Sequence, residues 1–130
     1  MVMQINKFMP HSLLPYFRNE LQQSKVKFAC RNYHKSWQYL ERAHILGQPY
    51  ALEHTIVHWK MLCFALRIKN VQEIIGQLPR LLVGGIKSFG GKIPLGNTGG
   101  SNVSPLKPME IPKDLALLIE QYGTNNNIKL

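Results

Sequence analysis

The sequence predicts an all-α fold: a four-helix array of two hairpins, an irregular Gly/Pro-rich segment, and a short C-terminal helix. Three observations predict it. Apolar residues recur at three- and four-residue intervals from residue 12 to residue 89. Turn-forming residues interrupt that rhythm where helices must end. From Gly90 to Pro112, Gly and Pro fall so densely that no regular element fits.

Residues 1–11 read as a loose lead-in. Ser12 can cap the first helix, with Pro15 tolerated in its opening turn. Leu14, Phe17, Leu21 and Phe28 form its apolar stripe, and Asn32 serves as a stop after Cys30. The second helix spans Tyr33 to Leu46, with Trp37, Leu40, Ala43 and His44 on one face. Gly47-Gln48-Pro49 breaks it, Gly47 acting as C-terminal cap. The third runs from about Tyr50 to Lys69. It is apolar nearly all round between Ile56 and Leu66, which predicts a central, buried helix. The fourth starts at Asn70, where Asn70 and Glu73 have the spacing of a capping box. Val71, Ile75, Leu78, Leu82, Ile86 and Phe89 form its stripe, and Pro79 should kink it. The last helix covers about Lys113 to Tyr122 and ends at Gly123. The expected organisation is a helical domain over 1–89 with a flexible start, an irregular 90–112 segment packing on it, and a 113–130 helix with a frayed tail.

The net charge of +9 is unevenly placed. Residues 1–92 hold thirteen Lys/Arg against four Asp/Glu, and residues 93–130 hold three of each. Such an excess attracts polyanions without choosing among them. Cys30 and Cys63 are too few for a disulfide framework and are expected to be free thiols. The first ten residues lack the apolar stretch of an export signal, and no run of 18 apolar residues exists to cross a bilayer. A cytoplasmic protein is the expectation.

Trp59, Leu62, Cys63 and Leu66 occupy the spacing of the tetratricopeptide first helix, with Cys where Gly is usual and Leu where Tyr is usual. Ser36, Leu40 and Ala43, with Pro49 ending the unit, follow the second. Residues 12–89 thus resemble two tetratricopeptide-like hairpins; a generic four-helix array has similar packing needs. The chain also resembles a small bacterial family known only as a domain of unknown function. The resemblance covers about 33–114. It rests on Leu40-Glu41-Arg42-Ala43-His44, on His54-x3-His58-Trp59, and on Gly96-Asn97-Thr98-Gly99-Gly100. It implies no activity. It implies a genetic neighbourhood of heavy-metal resistance genes, which concerns location and not chemistry.

Several chemistries lack their residues. Lys92 follows Gly90-Gly91, but Ile86 stands where a phosphate loop needs Gly, and Ile93 where it needs Ser or Thr. No G-x-S-x-G elbow occurs. Thr55 stands where a zinc-protease helix carries Glu between its histidines. Seven acidic residues thinly supply a paired-carboxylate mechanism. The basic residues are scattered, so no motif supports nucleic-acid binding. The chain reads as non-enzymatic.

One constellation stands out. Glu41 and His44 are spaced i, i+3 on the second helix; His54 and His58 are spaced i, i+4 on the third. The turn between the helices centres near Gln48–Pro49, about five residues from His44 and from His54. At ~1.5 Å rise per residue the two stand at similar heights. Three imidazoles and a carboxylate suit Zn, Ni or Cu; the same groups also suit an internally hydrogen-bonded core. Gly96, Asn97, Thr98, Gly99, Gly100 and Asn102 form a second candidate site, either a backbone nest or a strap over the helices. The leading expectation is a helical protein binding a transition metal through these histidines. The alternative is a tetratricopeptide-like adaptor for an acidic protein segment.

Overall fold

The computed structural model describes residues 2–4, 6–84, 92–94, 96–104 and 107–123. Their fold is all-α. The helices are α1 (Leu14–Ala29), α2 (Tyr33–Gly47), α3 (Ala51–Ile68), α4 (Val71–Gly84) and α5 (Lys113–Tyr122). Two three-residue strands, β1 (Val2–Gln4) and β2 (Lys92–Pro94), pair antiparallel with Val2 opposite Pro94. Each of the first four helices packs on its neighbour in sequence, and α5 packs on α2. The core draws Leu13 and Phe17 from the α1 end, Leu40, Ala43 and Leu46 from α2, Val57 and Met61 from α3, and Leu115 from α5.

Both hairpin turns use the same device. Arg31 and Lys69 take left-handed backbone, each with φ of 59°. An asparagine follows each one and starts the next helix: Asn32 accepts from Lys35 N at 3.3 Å, and Asn70 from Glu73 N at 3.1 Å. Asn32 therefore opens α2 rather than stopping α1. Ser12 does not cap α1 either. The N-cap is Leu13, and the Ser12 hydroxyl donates to the Tyr122 carbonyl at 3.4 Å. Gly47 is the last residue of α2 and not a left-handed cap. A Cβ there would lie 3.0 Å from the Phe17 ring and 3.3 Å from Glu53 Cβ, so close packing calls for the glycine.

The expected loose lead-in is tied down. Asn6 N donates to Pro49 O at 2.7 Å, Ala51 N donates to Asn6 O at 2.8 Å, and Met9 is buried. α3 has a solvent face: Trp59 and Leu66, half of the tetratricopeptide spacing, are 54% and 55% exposed.

α4 reverses its expected orientation. Val71, Ile75, Leu78 and Leu82 are 45–69% exposed, while Glu73 and Gln77 are buried. Ile86 and Phe89 lie outside the described residues. Burial on this helix follows hydrogen-bond partners rather than apolarity: Glu73 and Gln77 each find several inside, and a buried polar group is tolerated when so paired.

Arg42 joins three helices. It donates to Glu20 of α1 at 2.9 and 3.0 Å and to Asp114 of α5 at 2.5 Å. Glu20 is 6% exposed. Arg42→Ala leaves that carboxylate buried without its counter-ion. Discounted for the part-exposed arginine, the expected loss is about 2–3 kcal/mol, or roughly 5–10 °C in Tm by thermal circular dichroism. A shift under about 1 °C contradicts the assignment.

Candidate metal centre

The α2–α3 turn brings the histidines together. Tyr50 N donates to Gly47 O at 2.9 Å and His54 N to Tyr50 O at 2.8 Å, so α3 starts at once and turns back along α2. His44 lies in the last turn of α2; His54 and His58 lie one turn apart on α3. The three Nε2 atoms form a nearly equilateral triangle, 3.0 Å for His44–His54, 3.1 Å for His44–His58 and 3.0 Å for His54–His58. The rings sit as propeller blades, 62–70° apart in plane. His44 and His58 are fully buried; His54 is half-buried.

The far nitrogens fix the protons. His44 Nδ1 lies 2.6 Å from the Asn97 carbonyl oxygen, and His58 Nδ1 lies 2.6 Å from Gln77 Oε1. The Gln77 amide cannot be turned round, because its nitrogen donates to Glu73 Oε1 at 2.6 Å and to Gly99 O at 2.8 Å. Both oxygens only accept, so both Nδ1 atoms carry their protons. The His44 and His58 Nε2 atoms therefore face each other at 3.1 Å as bare lone pairs. Two lone pairs do not attract each other; a shared donor or a cation between them would, and His54 Nε2, 3.0 Å from both, completes the set of three inward nitrogens.

A proton is disfavoured in that place. Burial, then the neighbouring rings, holds His44 well below its ordinary value. Burial pushes His54 down to about 3 and His58 to about 4. Arg80 adds to this at His44 and His58; its Nη2 donates to Val103 O. All three rings are neutral at pH 7, which is the form that binds metal.

The 96–102 stretch lies across the centre. Asn97 is buried with its side chain fully engaged: Nδ2 donates to Ser104 O and Lys107 O, both at 2.8 Å, and Oδ1 accepts from Gly99 N at 2.9 Å. Gly99 has φ +82° and presses on the His44 ring, where a Cβ would come within 2.5 Å of Cδ2. Glu73 gathers Ser101 N, Ser101 Oγ and the Gln77 amide. A carboxylate thus fixes an amide, and the amide fixes His58, in the manner of groups that orient metal ligands from behind.

The sequence-derived candidates fall into three sets. The three histidines form one group whose ligand atoms lie within 4.8 Å of one another. Asn97 and Gly99 touch this group directly. Gly96 lies against the Met109 carbonyl, Gly100 beside Trp37, Thr98 is half-buried, and Asn102 is exposed. Glu41 is not in the group. Its Oε1 accepts from Trp37 Nε1 at 2.8 Å, one turn back on α2, and that bond takes the carboxylate elsewhere. Burial raises its pKa. Gln77 and Glu73 do not figure among the sequence-derived site residues: Glu73 stands out there only for its capping-box spacing, and both lie opposite the apolar stripe that the sequence places inside.

The family model described as a protein of unknown function, DUF3703, matches residues 11–119. The chain belongs to the DUF3703 family. No curated protein and no solved structure matches it. The DUF3703 match includes all three histidines, Gln77 and the 96–102 stretch. Among the described residues of this DUF3703 chain, no helix is long and apolar enough to cross a membrane.

Proposed function

We propose that this protein binds a transition metal ion of borderline softness, Zn²⁺, Ni²⁺ or Cu²⁺, through Nε2 of His44, His54 and His58, as a binding protein rather than an enzyme. The observation that carries the proposal is the pair of opposed lone pairs on His44 and His58, held in place by Asn97 O and Gln77 Oε1. The triangle's corners lie about 1.8 Å from its centre, so an ion about 1 Å above its plane reaches ~2.0–2.1 Å from each nitrogen. Neutral imidazoles are the donors these ions favour.

Calorimetric titration of tag-free, metal-free protein with each ion tests the proposal. One ion per chain is expected. Heats in buffers of different ionisation enthalpy should agree at pH 7, since the rings have no protons to release. His54→Ala, at the most accessible of the three rings, should weaken binding by at least about tenfold. No heat with any ion, or identical heat from His54→Ala, removes the reading.

A further inference from the structure

α1 and α3 flank a groove of about 660 Å³ with α2 as its floor. Two cations come from each wall: Arg18 and Lys25 from α1, Lys60 and Arg67 from α3. Within each pair the spacing is seven residues, two helical turns, or ~10 Å. All four side chains are exposed, and none of the residues lining the groove is acidic. Among the described residues the ion pairs belong to Arg42, so these four charges are uncompensated. Arg67 lies over the Phe28 ring at 5.0 Å.

Between the cations the groove is apolar, with Leu21, Phe28, Leu40 and Phe64 in its lining. The buried polar residues at the groove's base, Ser24 of α1 and Ser36 of α2, are occupied with each other: each hydroxyl donates to the other residue's carbonyl at 2.8 Å. The floor therefore makes no polar demand on an occupant. The ends, by contrast, call for negative charge.

We infer that this groove receives an acidic segment of a partner protein, with carboxylates at both ends and an apolar side chain between them. Its length follows from the wall. Arg18 to Phe28 spans ~15 Å of helix, which is four or five residues of extended chain. Charge complementarity commits the occupant to an acid, and the apolar middle commits it to a peptide. A polynucleotide carries unbroken charge and uses rows of exposed rings for stacking, whereas Trp59 is the exposed ring at this groove. The groove is separate from the histidine centre, and the inference holds whether or not a metal binds.

Fluorescence anisotropy of labelled Glu-Glu-Phe-Glu-Glu against the full-length protein, at about 150 mM salt, tests it. The double variant Lys25→Glu/Arg67→Glu should lose at least about tenfold in affinity. Lys7→Glu/Lys113→Glu changes the net charge equally but elsewhere, and should stay within about threefold. Replacing the peptide's Phe by Gly should weaken binding, and far-UV circular dichroism confirms that each variant folds. Equal losses in the two double variants would reduce the effect to general charge and overturn the inference. So would absence of peptide binding at about 1 mM. Tighter binding of a ten-nucleotide oligo-dT through Lys25 and Arg67 would assign the groove to nucleic acid and overturn it as well.

Discussion

Acidified from pH 7 toward pH 4, the metal-free protein loses stability steeply and unfolds. The three histidines have folded values below the unfolded value, about 3 for His54 and about 4 for His58, with His44 also well below. Below pH ~6.5 the unfolded chain binds protons at these rings and the folded chain does not. Their contribution is therefore fully present above pH ~6.5 and is lost as pH falls toward the folded values. Each ring supplies up to about 1.4 kcal/mol per pH unit in that window, and three acting together exceed what a marginally stable domain can lose. Asp114, which Arg42 holds below the usual carboxylate range, enters only at the acid end. Saturating Zn²⁺ binds the folded state and should move the midpoint to lower pH. Circular dichroism across the pH range measures both effects. Stability unchanged between pH 7 and pH 4 contradicts the burial of three neutral rings.

Gly99→Ala is expected to damage the fold and the centre together. Its Cβ would lie 2.5 Å from His44 Cδ2, 2.7 Å from Cγ and 2.8 Å from Nε2, on a backbone at φ +82°. The ring cannot retreat without losing Asn97 O, and the strap cannot lift without taking Gly99 O from Gln77. Combined strain and lost hydrogen bonds should cost about 2–4 kcal/mol. Metal affinity should fall roughly 10–100-fold, because both orienting contacts are disturbed. Thermal unfolding and metal titration of the one variant read the two effects. Values matching the parent chain in both would mean that the strap does not press on His44.

How much of this could be read from the sequence depends on how local each cause is. Helix positions followed from apolar spacing and from the Gly47-Gln48-Pro49 break, both local. The convergence of His44, His54 and His58 followed from equal distances to one tight turn, again local. Glu41 failed because spacing describes which face a residue occupies, not which neighbour takes its oxygen first; Trp37, a turn away, does so. α4 failed for a deeper reason. Its inner face is polar because α3 and the 96–102 strap offer it hydrogen-bond partners, and those partners come from distant sequence. Hydrophobic periodicity therefore marked a real face and gave it the wrong side. Asn97 and Gly99 could be singled out from composition, but not what they do, since that depends on an imidazole fifty residues earlier.

The orienting carbonyl of Asn97 has a consequence for how the protein is made. Synthesis delivers the three imidazoles by residue 58, while the groups that settle their tautomers arrive only at residues 77 and 97. A chain emerging from the ribosome therefore holds its three imidazoles for a time with no fixed tautomer. If the proposed ion binds, competence to capture it would be acquired only when the 96–102 strap closes over α2 and α3, and capture would report completion of folding.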